Sequence, residues 1–190
     1  ARLDFFNFDG VISDTGGFSI TAGSIETYNF NTTNTFTGGL RIESSGIHII
    51  GLNSSGAAGN GDVTVLKNTT NDQSGVLKLG GNDVFSTSAT LRLNGKGWDN
   101  NKRYEYRYTT ILLDMNSFTS TVERLFIDDV EQAAGVYTGA SGDWIGGTGE
   151  LTVTTGSHTY NNWLTNYRAA SVNTDFSQDP DNDGVSNGNS

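Results

Sequence analysis

Asn60-Gly-Asp-Val-Thr-Val65 is the stretch whose reading decides the fold class. Asn-Gly tolerates positive φ and marks a turn, and Val63 and Val65 then fall on one face of an extended strand with Thr64 on the other. The same grammar recurs in both directions. Like residues alternate at Leu3/Phe5, Phe18/Ile20, Leu40/Ile42, Leu77/Leu79, Leu91/Leu93, Tyr104/Tyr106/Tyr108, Leu125/Ile127 and Leu151/Val153. Between them stand Gly16-Gly17, Gly38-Gly39, Gly80-Gly81-Asn82, Asn94-Gly95 and Gly146-Gly147. Period-two alternation punctuated this often by turn residues predicts an all-β sandwich, barrel or solenoid. One stretch, 161–170, admits a short helix, with Trp163, Leu164 and Tyr167 on a shared face.

Composition narrows the function classes. The formal net charge of −10 argues against nucleic acid, whose phosphates call for clustered cations, and Lys102-Arg103 with Arg107 is too small a cluster to supply them. With no cysteine, disulfides, thiol catalysis and Cys-based zinc sites are all absent, so stability rests on packing or on metal bound through oxygen. No apolar run approaches the roughly 20 residues of a membrane helix, the longest lying around Ile47–Leu52 and Ile111–Leu113. An opening Ala1 fits a mature end left by signal-peptide cleavage. Only 17% of residues are charged and Gly, Asn, Ser and Thr abound, which suits a turn-rich protein secreted to the cell surface or beyond.

Residues 34 to 85 resemble the autotransporter-associated β-strand repeat of bacterial surface proteins. The matching residues are Asn34-Thr-Phe-Thr-Gly-Gly39, Gly59-Asn-Gly-Asp-Val-Thr-Val65 and Val76-Leu-Lys-Leu-Gly-Gly-Asn82. Leu125-Phe-Ile-Asp-Asp-Val-Glu-Gln-Ala-Ala-Gly-Val-Tyr137, continuing to Gly147-Thr-Gly-Glu-Leu-Thr-Val153, looks like the unit that closes such arrays in exported proteins with C-terminal sorting signals. The resemblance implies an extracellular or cell-surface protein and a short right-handed parallel β-solenoid. The pattern supplies about one repeat, however, where a solenoid requires about three or more stacked units to bury its core. The expectation is therefore a compact β-sandwich of jelly-roll type, with the solenoid as the alternative. The stretch from Tyr108 to Gln132 also resembles strand pairs of lectin-like jelly rolls. Three segments are expected: an N-terminal strand over 1–12, a β domain over 13–156 and a C-terminal extension over 157–190.

That extension carries Asp179-Pro-Asp181-Asn-Asp183-Gly184-Val-Ser-Asn187. Oxygen ligands at alternate positions followed by Gly fit a calcium loop, because hard Ca²⁺ gathers several carboxylates and Gly lets the chain fold around it. Asp179, Asp181 and Asp183 would ligate through side chains and Val185 through its carbonyl. The stretch resembles the thrombospondin type 3 loop, with Ser190 at the position where a bidentate Glu is expected.

Asn31, Asn53 and Asn68 each open an Asn-x-Ser/Thr sequon in turn-like sequence and are candidate glycosylation sites. Tyr104, Tyr106 and Tyr108, with Trp98, Trp144 and Trp163 elsewhere, are candidates for stacking on sugar rings or, more simply, for packing on a sheet. Catalytic material is thin. His48 sits in an apolar run and His158 in a polar turn, while adjacent Asp128 and Asp129 point to opposite faces of a strand and read as a turn. No enzymatic activity is expected.

The first twelve residues hold Leu3, Phe5, Phe6 and Phe8, more apolar surface than a free terminus carries. They predict a strand that pairs in its own sheet or adds to an edge of a neighbouring subunit. Repeated head to tail between copies of the chain, the second contact builds a filament. The function expected is thus an extracellular structural subunit that self-assembles by β-strand addition into a fibre or surface layer. The rival is a carbohydrate-binding or adhesive module of a bacterial surface protein.

Overall fold

A computed structural model describes residues 4–22, 26–44, 48–67, 74–95 and 111–156. The chain divides into two compact units, Ala1–Ser157 and His158–Ser190, and every described residue belongs to the first. The possible helix over 161–170 lies outside the described residues.

The described residues are all-β. Their strands are β1 (Asp4–Phe8), β2 (Phe18–Ala22), β3 (Glu26–Phe30), β4 (Leu40–Ser44), β5 (His48–Leu52), β6 (Val63–Leu66), β7 (Val76–Leu79), β8 (Thr90–Leu93), β9 (Leu113–Asp114), β10 (Thr119–Val122), β11 (Arg124–Ile127), β12 (Val130–Glu131), β13 (Gly135–Tyr137), β14 (Ile145–Gly146) and β15 (Glu150–Val153). Through β8, consecutive strands alternate between two sheets. One sheet runs β1-β3-β5-β7-β9-β14, another β12-β11-β8-β6-β4-β2, and a third, smaller one β10-β15-β13.

The pairing is parallel throughout the first two sheets except where β12 returns along β11. In the third sheet β10 and β15 are parallel, and β13 runs antiparallel to β15. Register follows sequence spacing. Phe6 pairs with Tyr28 and Tyr28 with Ile50, each 22 residues on. The step then lengthens, as in Leu77↔Leu113, with the additional chain falling chiefly in 68–73 and 96–110, outside the described residues.

This register stacks like on like. The column Phe6, Tyr28, Ile50, Leu77, Leu113, Ile145 runs across one sheet, and the column Ile20, Ile42, Val65, Leu93, Ile127 across another. Ile50, Leu77, Leu113 and Ile145 of the first column and Ile20, Ile42, Val65 and Leu93 of the second belong to one core, with Tyr28 and Ile127 packed against it, and that core also takes in Leu151 and Val153 of the third sheet. Each fully buried Leu or Ile in these columns contributes about 1.5–3 kcal/mol.

The corners between strands are fixed by polar side chains and by glycine. Asn34 is buried; its Oδ1 accepts from the Ile12 N–H at 2.8 Å and its Nδ2 donates to the Ala57 carbonyl at 2.7 Å. One side chain thereby ties three successive passes of the chain. At Gly39 φ is +90°, and a Cβ there would stand 2.7 Å from the Asp62 carbonyl oxygen, so the close approach of neighbouring passes requires glycine.

Candidate functional site: the outer edge of the first strand

β1 is the terminal strand of its sheet, and β2 ends the neighbouring sheet on the same side of the array. The strand forms because Phe6 and Phe8 alternate with Phe5 and Asn7, which places the first two on the core side of the pleat. Phe8 stacks on Phe30 with ring centroids 4.9 Å apart, and Phe6 stacks on Tyr28 at 5.0 Å. Phe18 of β2 meets Phe8 edge-on at 5.3 Å.

Burial changes steeply along the Phe6 column. Ile50, Leu77 and Leu113 are fully covered, yet Phe6 is 44% exposed, and outward-facing Phe5 is 64% exposed. Interior-facing aromatic surface lies open at this end because β1 has no described strand beyond it. Val11, in the turn that follows, is also exposed.

A ladder of side-chain amides runs beside these columns. The Asn29 Nδ2 donates to Asn7 Oδ1 at 2.9 Å, the Asn31 Nδ2 to Asp9 Oδ1 at 2.7 Å, and the Asn53 Nδ2 to Asn31 Oδ1 at 2.7 Å. Each rung is offset by 22 residues, and each donates toward the edge at β1. Such amide ladders favour parallel, in-register stacking. Tyr28 donates its hydroxyl proton to Glu26. Burial, followed by that bond and the nearby negative charge, pushes its pKa up to about 12.

Of the assembly residues expected from sequence, Phe5, Phe6 and Phe8 are brought together on β1, which pairs with β3 of its own sheet; Leu3 lies outside the described residues. Asn31 and Asn53 are solvent-exposed members of the amide ladder, each with its Nδ2 engaged. Asn68, the calcium residues Asp179, Asp181, Asp183 and Val185, and the tyrosines Tyr104, Tyr106 and Tyr108 lie outside the described residues. So do Trp98, Trp163, His158 and the side chain of His48. Trp144 is half-buried and packs on Tyr137, with ring centroids 5.7 Å apart.

The other end of the array is built differently. Asp128 and Asp129 form the turn between β11 and β12, with φ of 47° and 63°, as their adjacency suggested. Asp128 Oδ1 accepts from the Gly95 N–H at 2.8 Å, and Asp129 and Asn94 bond reciprocally at 3.2 Å. Glu131 pairs with Arg124 at 2.6 Å, and the Arg92 guanidinium lies 3.8 Å from the Phe126 ring centroid. These carboxylates hold a hairpin and are committed to neighbours. An open cavity of about 420 Å³ lined by Ile111, Gly139, Gly142, Asp143, Ile145, Gly146 and Gly147 contains one carboxylate. Among the described residues no cluster of three or more His, Asp or Glu is placed to hold a metal. Among them, too, no helix is long and apolar enough to cross a membrane.

No protein-family model, curated protein or solved structure matches the chain. The amide ladder was not foreseen from sequence. Its signal was the 22-residue recurrence of Asn7/Asn29 and Asp9/Asn31/Asn53 alongside Phe8/Phe30 and Gly16-Gly17/Gly38-Gly39.

Proposed function

We propose that this chain is an extracellular structural module, a short right-handed parallel β-solenoid that associates by β-strand addition at β1 within a fibre or surface layer. The observation that carries the assembly reading is the exposure of Phe6 in a column whose next members but one are fully covered. An open strand edge with apolar surface beside it is a template for pairing with another chain.

Support for the solenoid winding comes from the alternation of consecutive strands between two parallel sheets and from the 22-residue register. A jelly roll pairs its strands antiparallel, whereas antiparallel pairs among the described residues are confined to β11–β12 and β13–β15. The six strands of the first sheet outnumber the single repeat legible in the sequence, which supports a stacked winding. The extracellular assignment rests on the cysteine-free, weakly charged composition and on the likeness to bacterial surface repeats.

Sedimentation across a concentration series tests the assembly. Concentration-dependent association is expected, weakened at least about tenfold by the double change Phe5→Ser, Phe6→Ser, which removes about 1.5–3 kcal/mol of burial per ring that the contact covers. A chain that stays monomeric at every concentration would sink the reading.

A further inference from the structure

We propose that the Asn60–Gly61 corner is a site of spontaneous covalent modification, at which the Asn60 side-chain amide is lost and the main chain is rerouted as isoaspartate, and that the Asp128–Asp129 turn shields a second pair, Asn94–Gly95, from the same reaction.

The chemistry needs only water. The backbone nitrogen of the residue after asparagine attacks the side-chain Cγ and forms a new C–N bond. That nitrogen gives its proton to water, and the side-chain amide nitrogen leaves as ammonia. Water then opens the cyclic imide. Attack at the side-chain carbonyl gives aspartate, and attack at the main-chain carbonyl gives isoaspartate, in which the chain runs through the former side chain. Glycine in the second position hinders the first step least, because no Cβ stands beside the attacking nitrogen.

Two Asn–Gly pairs lie among the described residues, and at both the fold requires the glycine. A Cβ on Gly61 would stand 2.5 Å from the Gly39 nitrogen and 2.5 Å from the Thr37 carbonyl oxygen. Gly95 has φ of +97°, in the region that side chains disfavour. Neither corner can exchange its glycine for a residue that slows the attack.

Their hydrogen bonding differs. Asn60 is exposed, and its backbone N–H donates to the Phe36 carbonyl at 2.9 Å. Among the described residues neither its side-chain amide nor the Gly61 N–H has a hydrogen-bond partner. Nucleophile and leaving group are both free to move toward each other. At the second pair the Gly95 N–H donates to Asp128 Oδ1 at 2.8 Å, while the Asn94 amide donates to Asp129 Oδ1 and accepts from the Asp129 N–H, each at 3.2 Å. There the nitrogen must leave a carboxylate, and the amide a reciprocal pair, before the ring can close. The turn is a shield as well as a hairpin.

Isoaspartate at residue 60 adds a methylene to the main chain inside a corner that is anchored on both sides. Besides the Asn60 N–H, the Asp62 carbonyl accepts from the Leu40 N–H at 2.8 Å and Asp62 Oδ1 from the Thr90 N–H at 2.8 Å. The close approach at Gly61 leaves no slack for a longer chain between these anchors. β6 follows at once with Val63 and Val65 fully buried, so the modification loosens the core at this pass.

The test keeps the full chain folded in mildly alkaline buffer, then digests it and separates aspartate and isoaspartate peptides by mass spectrometry. Asn60 is expected to convert at least about tenfold faster than Asn94, a ratio that one charge-assisted hydrogen bond to the Gly95 N–H suffices to produce. Conversion at Asn94 as fast as at Asn60 overturns the proposal. So does an intact Asn60 over a period in which the urea-unfolded chain converts there. Asp128→Ala is expected to speed conversion at Asn94 while the Asn60 rate in the same chain holds; an unmoved Asn94 rate overturns the shielding. Asn60→Gln, at an exposed side chain without a partner, must close a larger ring and reacts more slowly. On incubation the urea midpoint of the parent is expected to fall and that of Asn60→Gln to hold, and equal falls overturn the link from corner to core.

Discussion

Asn34 holds two backbone groups, the part-buried Ile12 N–H and the buried Ala57 carbonyl. Its side chain is buried and spans from the Ile12 N–H to the Ala57 carbonyl, and truncation strands both. Asn34→Ala is expected to destabilise the fold by about 2–4 kcal/mol, since each unsatisfied buried group costs about 1–3; urea denaturation followed by circular dichroism measures it. Tyr28 gives a pH signature. Its folded pKa of about 12 exceeds the unfolded value near 10, so its contribution to stability is complete below about pH 10 and is lost as pH rises toward 12. The denaturation midpoint of the parent is expected to fall across that window, and less so in Tyr28→Phe. Nothing in the sequence singled out Asn34, one asparagine among many. Its partners were hidden too, because they lie 22 and 23 residues away on neighbouring passes.

At the scale of elements, the β11–β12 hairpin differs from the parallel strands before it. Asp128 and Asp129 both adopt the left-handed region, which a tight hairpin with primed turn geometry demands and which Asp tolerates better than most residues. Asp128→Ala removes the acceptor for the Gly95 N–H and leaves a Cβ-bearing residue without local compensation. A loss of about 1–2 kcal/mol is expected. Hydrogen exchange locates it, with amides of β11 and β12 opening before those of β4 and β6. The turn was legible in the sequence, since two adjacent carboxylates cannot share a face. That the hairpin sits at the end of a sheet whose other pairs are parallel was not, because strand direction leaves no trace in alternation.

For the unit as a whole, sequence alone determined an all-β chain and located its turns, because the two-residue period of the pleat and the need for glycine or asparagine at positive φ are local constraints. It also marked the apolar first strand, since four large side chains in six positions require cover wherever they lie. Only the tertiary structure decided which strands pair and in which direction, and with them the number of stacked levels. Those choices depend on register between segments 22 to 36 residues apart, where Phe, Ile and Leu replace one another at matching positions and hide the repeat from composition. The same register converts scattered asparagines into a ladder and leaves Phe6 half open at its end. Long-range pairing energy, and not local preference, sets the composition of that edge.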